Sequence, residues 1–442
     1  MPEKDKNLED ASKKKESRIV SFLRVLGPGI VTGAADDDPS GIATYSQTGA
    51  QFGYGQLWTA LYQIPLLLAV QEACARIGVV TGKGLARVIK DHYSKNVLIG
   101  VVLLVVIANT INIGADIGAV AASAQLIVPV PFWILALLTT CLILALEVLV
   151  NYRDYAKVLK WLALALFSYP VTALIIAEPW KQILYATVVP HIEFSFAFLF
   201  IITGVFGTSI SPYMFFWQAS DEVEEEKMLG ITMRKDGKPR LPRGYLRDVQ
   251  MDTAAGMIVA EVVQWFIIIT TATVLFSHGV TNIATAADAA KAIEPLVQSF
   301  PDAGLVAKCL FAVGVVGLGF LGIPVLAGSA AYAMSEAFGW KEGLSKTFTQ
   351  AKAFYGVIIV STFIGLMLNF IGISPIKALV FTAVFNGITA VPLLYLIGKI
   401  NGSTKILGDK KGGLLSQVFV WVTFAVMGLS CLALLYTVLV PH

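Results

Sequence analysis

The chain has 442 residues, 56% of them hydrophobic and only 14% charged, with a mean hydropathy of +0.72. Soluble domains carry about 25% charged residues, so this composition argues against a soluble enzyme, a nucleic-acid binder or a disulfide-stapled secreted domain. A bilayer span takes about 20 apolar residues, which gives a chain of this length room for around a dozen.

In chain order, residues 1–24 (MPEKDKNLEDASKKKESRIVSFLR) are polar and mixed in charge, with no apolar core and no cleavage site. They read as a cytoplasmic tail rather than a signal peptide, with Lys13, Lys14, Lys15 and Arg18 suited to anionic lipid. Residues 25–440 then form one transmembrane domain. Its spans are expected at 26–50, 56–76, 97–128, 132–151, 155–177, 194–219, 249–277, 304–337, 353–370, 375–397 and 414–440. The fold class is therefore an all-α polytopic membrane protein with eleven transmembrane helices. Of the 33 Lys and Arg, only Lys181, Lys291, Lys308 and Lys377 fall on one side of this plan. The basic side is cytoplasmic. The N-terminus is thus expected inside and His442 outside, in a multi-pass cell membrane protein, with a prokaryotic plasma membrane as its setting. Cys74, Cys141, Cys309 and Cys431 lie far apart in apolar stretches and read as buried small hydrophobes, with no C-x-x-C pair.

Two spans are interrupted. Span 1 carries Pro39 and Gly41 near its centre, and span 6 carries Pro212 behind Gly204 and Gly207. An interior proline removes a helix hydrogen bond, at about 3 kcal/mol, and in lipid the freed carbonyl must find another partner. Each broken span opens a block of five, over 26–177 and 194–397, with 414–440 as an extra helix. Paired breaks at matching positions point to an inverted-repeat secondary transporter with a midplane site. Ordinary proline kinks are the competing account.

Asp36, Asp37 and Asp38 tip the balance toward transport. No Lys, Arg or His occurs between residues 25 and 75, and an aspartate at mid-bilayer costs at least about 2.5 kcal/mol. Asp38, directly before Pro39, is assigned to a cation; Asp36 and Asp37 are expected to face a watery vestibule. Span 6 offers Thr208, Ser209 and Ser211 with the carbonyls around Pro212. Span 3 sets Asn109, Asn112 and Asp116 on one helical face, where interhelical bonding explains the asparagines equally well. Asn386 in span 10 is a further oxygen donor, with packing an equal alternative. An all-oxygen set selects a hard ion, so the residue types argue for Mg²⁺ with Mn²⁺ tolerated.

The stretch GPGIVTGAADDDPSG resembles the first-helix motif G-P-G-x8-D-P-G-N of the natural-resistance-associated macrophage protein family of divalent-metal transporters. Ala75 to Lys83 and Gly207 to Tyr213 resemble two further family segments. The resemblance covers residues 25 to 440. It implies a LeuT-like fold, with helices 1 and 6 unwound at the midplane, and a metal site at Asp38. The family's asparagine falls on Gly41, its methionine on Ser211, and its two histidines on Tyr213 and Gln218. Its proton-pathway acids fall on Asn112 and Ala115, beside Asp116. These departures are similar to the prokaryotic NRAMP-related magnesium transporter branch.

The expected metal-site residues are thus Asp38, Gly41, Thr208, Ser211, Asn112, Asp116 and Asn386, with no resident cofactor, the ion being cargo. The expected partners are divalent ions and the bilayer, with no nucleic acid and no obligate protein. Transport is expected to be uncoupled from protons, since His92, His191, His278 and His442 all fall in loops or at the end. Alternatives are a proton-coupled Mn²⁺/Fe²⁺ importer, a sodium-coupled amino-acid transporter, whose substrate carboxylate the aspartates would repel, and a non-transporting sensor. A membrane enzyme lacks support: neither H-E-x-x-H nor G-x-S-x-G occurs. The acidic run at Asp221, Glu222, Glu224, Glu225 and Glu226 reads as a solvated helix end.

Overall fold

With no water to satisfy it in a bilayer, a backbone of apolar residues closes its hydrogen bonds within a helix. The computed structural model follows that rule over the residues it describes, which are 32–33, 35–150, 167–176, 179–234, 237–299 and 302–440. The tail at 1–24 and residues 155–166 of the fifth span lie outside them. The helices are α1 (Pro39–Phe52), α2 (Trp58–Thr81), α3 (Leu85–His92), α4 (Lys95–Ala124), α5 (Phe132–Leu149) and α6 (Ser168–Ile175). There follow α7 (Trp180–Val188), α8 (Phe196–Ser209), α9 (Pro212–Met228), α10 (Tyr245–Val274) and α11 (Ala286–Ala290). The last are α12 (Ala303–Phe338), α13 (Lys352–Leu368), α14 (Pro375–Asn401), α15 (Thr404–Leu407) and α16 (Leu414–Leu439). Every expected span contains helix. Among the described residues eight stretches are long and apolar enough to cross a membrane, α8 and α9 counting as one, and α13 is a shorter apolar helix.

The side chains are arranged for lipid. α5 turns Leu137, Leu138 and Leu142 outward and buries Thr139, Thr140 and Glu147, and α16 exposes Leu429, Leu432 and Leu439. Inside, α4 packs along α12, with α13 and α14 against α4 as well. α1 lies among α8, α10 and α14. α1 is therefore central, with no face left to lipid from Pro39 to Ala50, which are all buried.

Two expectations change. Cys74 and Cys431 are buried, but Cys141 is exposed and Cys309 half-buried, because lipid accepts a thiol on an outward face. The acidic run is not a solvated end. α9 continues through it to Met228, and Glu222, Glu224 and Glu226 are buried. Packing draws them in: Gln218 Nε2 donates to Glu222 Oε1 at 2.8 Å, and the Ser345 amide donates to Glu224 Oε2 at 3.2 Å.

Candidate metal centre

Each break is made by the same dipeptide geometry. Asp38 (φ −60°, ψ 172°) and Ser211 (φ −90°, ψ 141°) are extended, and each precedes a proline that starts a new helix. Proline suits that first position because its missing N–H has no intrahelical partner there. It also orphans the carbonyl four residues back. At the first break that carbonyl is Ala35 O, and Tyr213 Oη donates to it at 3.0 Å. At the second it is Thr208 O, and Ser211 Oγ donates to it at 2.5 Å and to Gly207 O at 2.8 Å. A hydroxyl stands in for the absent N–H at both.

Asp38 is fully buried and caps α1. Its Oδ1 accepts from Ser40 Oγ at 2.5 Å and from the Gly41 amide at 2.9 Å. Its Oδ2 accepts from Asn112 Nδ2 at 3.2 Å, with Tyr213 Oη at the outer limit of 3.5 Å. The positive end of α1 lies behind the carboxylate and favours its anion. Oδ1 accepts two hydrogen bonds, whereas Oδ2 has one good donor and a lone pair left over.

The remaining expected residues take different places. Thr208 reaches Asp38 only through Ser40, whose Oγ lies 3.1 Å from Thr208 Oγ1. Gly41 faces Asp38 with its N–H, a group that orients a carboxylate but does not ligate a cation. Ser211 is turned toward the end of α8. Asn112 Oδ1 and both oxygens of Asp116 are buried and have no hydrogen-bond donor. Asn386, also buried and unpartnered, sits beside Gly387, where α14 meets Gly207 of α8 too closely for a Cβ. Asn109 belongs to packing, since its Nδ2 donates to Leu326 O at 2.9 Å. Asp36 and Asp37 do not face open water: they are 1% and 4% exposed.

Sequence reading missed several participants. Ser40 and Tyr213 orient Asp38, and Gly322 of α12 lies so near that an added Cβ would stand 3.1 Å from that of Asp38. Around the break runs a hydroxyl and amide chain. Tyr45 Oη lies 2.9 Å from Ser209 Oγ, Ser209 donates to Gln264 Oε1 at 3.0 Å, and Gln264 donates to Gln63 Oε1 at 2.8 Å. Glu261, one turn from Gln264, is buried in span 7. Its signal was present, a lone carboxylate inside an apolar run. Among the described residues no three His, Cys, Asp or Glu converge closely enough to chelate a bare ion. The candidate centre is the Asp38 carboxylate with hydroxyl and amide groups bonded to it, and with the unpartnered Asp116 carboxylate buried in the same core.

A family model described as natural resistance-associated macrophage protein-like matches residues 29–437. Among solved structures, the chain is similar to a manganese transporter of Eremococcus coleocola in complex with an aromatic bis-isothiourea substituted compound. The TM-score is 0.74 at 16% identity, covering 96% of this chain and 87% of that one. It is also similar to MhsT in complex with L-phenylalanine, with TM-score 0.56 at 12% identity, covering 96% and 98%. A third is Mhp1, a nucleobase-cation-symport-1 family transporter, with TM-score 0.55 at 14% identity, covering 92% and 88%. At these identities the likeness is one of fold: a LeuT-like body of inverted repeats.

Proposed function

The chain belongs to the natural resistance-associated macrophage protein-like family, and on that premise we propose that it is a secondary transporter of divalent metal ions, carrying Mg²⁺ foremost and accepting Mn²⁺. The observation that carries this reading is the buried Oδ2 of Asp38, which has one good donor in Asn112 Nδ2 and, among the described residues, no sulfur or imidazole bonded to it. Mg²⁺ keeps several waters and takes one or two carboxylates, so one charged oxygen and the unpartnered acceptors of Asn112 and Asp116 suit a partly hydrated ion. A thioether in place of Ser211 would have favoured softer metals.

Access alternates about the two breaks, and an inside-negative membrane potential drives a divalent cation inward. No proton is needed to drive it. Moving two charges down a potential of 100 mV yields about 4.6 kcal/mol, enough for more than three orders of magnitude in concentration. Gln218, Asn112 and Ala115 supply no titratable relay. One observation favours a proton-coupled Mn²⁺ importer instead: Asp116 is buried with both oxygens unpartnered.

One experiment separates the two. In liposomes with a lumenal pH dye, Mg²⁺ and Mn²⁺ influx should follow an imposed K⁺ diffusion potential without acidifying the lumen. Acidification that tracks influx and disappears in Asp116→Asn would replace the uncoupled reading with the coupled one.

A further inference from the structure

Four residues of α9 fall at i, i+4, i+7 and i+11, which puts them on one face: Tyr213, Trp217, Ser220 and Glu224. That face lies along α12 and the chain just after it. Ser329 Oγ donates to Tyr213 O at 2.8 Å. Trp217 packs on Gly328, where an added Cβ would stand 2.8 Å from the indole, and edge-on to Tyr332 with ring centroids 6.3 Å apart. Ser220 Oγ donates to Glu336 Oε1 at 2.9 Å, and the Ser345 amide donates to Glu224 Oε2 at 3.2 Å. On α12 the seam begins where Gly322 abuts Asp38 and ends at Glu336, about 21 Å away at 1.5 Å per residue.

The seam changes character along its length. Beside the break it is buried and largely aromatic. At the far end it is polar and borders a cavity of about 220 Å³, with Ser220, Glu224, Glu336 and Glu342 in its lining. Glu342 Oε2 is buried there without a donor, so this end is not a fully satisfied weld. Water fits a polar cavity of that size and can replace each hydrogen bond as the helices part. Glu336 itself is 3% exposed and fixed from a third side: the Arg87 amide, in the first turn of α3, donates to its Oε2 at 3.0 Å. The residue before α3, Gly84, supplies no side-chain cap, and Glu336 takes that part. A Cβ at position 84 would stand 1.7 Å from Glu336 Oε1 and 2.6 Å from Ser220 Oγ, so glycine is what lets the carboxylate in.

We infer that the seam between α9 and α12 is an inner gate on the path from Asp38, with the Ser220–Glu336 and Glu224–Ser345 bonds as its latch. The inference rests on the transport reading above. The break at Ser211 and Pro212 frees α9 from the hydrogen-bond ladder of α8, so α9 can turn about that point as one lever. Its contacts farthest from the hinge are the polar ones, and those part without stripping apolar surface. While they hold, an ion at Asp38 has no route along this face. When they part, it is released toward the basic, cytoplasmic side.

The test uses full-length protein in lipid nanodiscs, with its four cysteines changed to alanine and one reporter cysteine added. Ser329→Cys reports from inside the seam, where Ser329 is fully buried. Thr382→Cys reports from the other side of the breaks, in a cavity of about 700 Å³ between α1, α4, α8 and α14. The probe is a charged, membrane-impermeant methanethiosulfonate. Ser220→Ala should speed modification of Ser329→Cys about tenfold, the worth of one hydrogen bond to a charged group, and leave Thr382→Cys no faster. Gly84→Ala should do the same by displacing the Glu336 carboxylate while every hydrogen-bonding group is kept. In liposomes, Ser220→Ala should need more external Mg²⁺ for half-maximal uptake, because fewer carriers face outward. An unchanged rate at Ser329→Cys in both variants overturns the latch, and so does an equal rise at both reporters, which marks general loosening. A wild type that carries neither Mg²⁺ nor Mn²⁺ overturns the transport reading instead, whatever the reporters show.

Discussion

The two breaks share a construction and differ in what holds them. At each, a proline deprives a carbonyl of its donor and a hydroxyl replaces it. In the second break the repair is local: Ser211 bonds back to the end of its own preceding helix. In the first it comes from elsewhere, since the donor to Ala35 O is Tyr213, from the first turn of α9. The first break also bears the charge, and the second bears none. One break closes on itself; the other is left dependent on its neighbour and carries the carboxylate that a cation requires. The proposed metal site thus falls on the break that is not self-sufficient.

The sharpest way to break this contrast is Asp38→Ala, which should reduce Mg²⁺ and Mn²⁺ uptake to background while the protein remains folded and extractable. Size-exclusion chromatography beside ion influx checks both halves of that statement. Next in size is Ser211→Met. It gives the neutral break a soft ligand and should move the Mn²⁺-to-Mg²⁺ preference by about tenfold, equivalent to roughly 1.4 kcal/mol. A preference unchanged in competition uptake would detach Ser211 from selectivity.

Tyr213→Phe removes the cross-tie and strands Ala35 O. The cost should be about 1–3 kcal/mol of stability, read by thermal unfolding in detergent, with ion affinity little altered because Oδ2 retains Asn112. The smallest effect belongs to Ser211→Ala, about 1 kcal/mol, since water or a shortened helix end can reach a local carbonyl more readily. If Ser211→Ala proved costlier than Tyr213→Phe, the second break would be the dependent one.

Asp38 was legible from sequence because three local facts coincide there: an apolar span, an interior proline and a carboxylate with no basic residue nearby. The helices were legible because span length and apolar composition leave the backbone few alternatives. What sequence hid was convergence. Ser40 lies next to the motif, but nothing local says that its hydroxyl turns onto Asp38. Tyr213 and Gly322 act from helices distant in sequence. Glu261 was available to the same reasoning that selected Asp116, an acid alone in an apolar span, and was passed over because no break adjoins it. The acidic run of α9 was misjudged because composition alone cannot report that Gln218 and the Ser345 amide await Glu222 and Glu224.

The hydroxyl repairs have a consequence for the transport cycle. On the uncoupled reading proposed above, the carrier would make its return stroke empty, and its backbone gaps must then be closed by the chain itself. Here the backbone gaps are closed by protein hydroxyls, those of Tyr213 and Ser211, and Asp38 has donors in Ser40, Gly41 and Asn112. If that reading holds, net uptake would need no exchange partner on the far side, and the rate of ion-for-ion exchange should little exceed that of one-way flux.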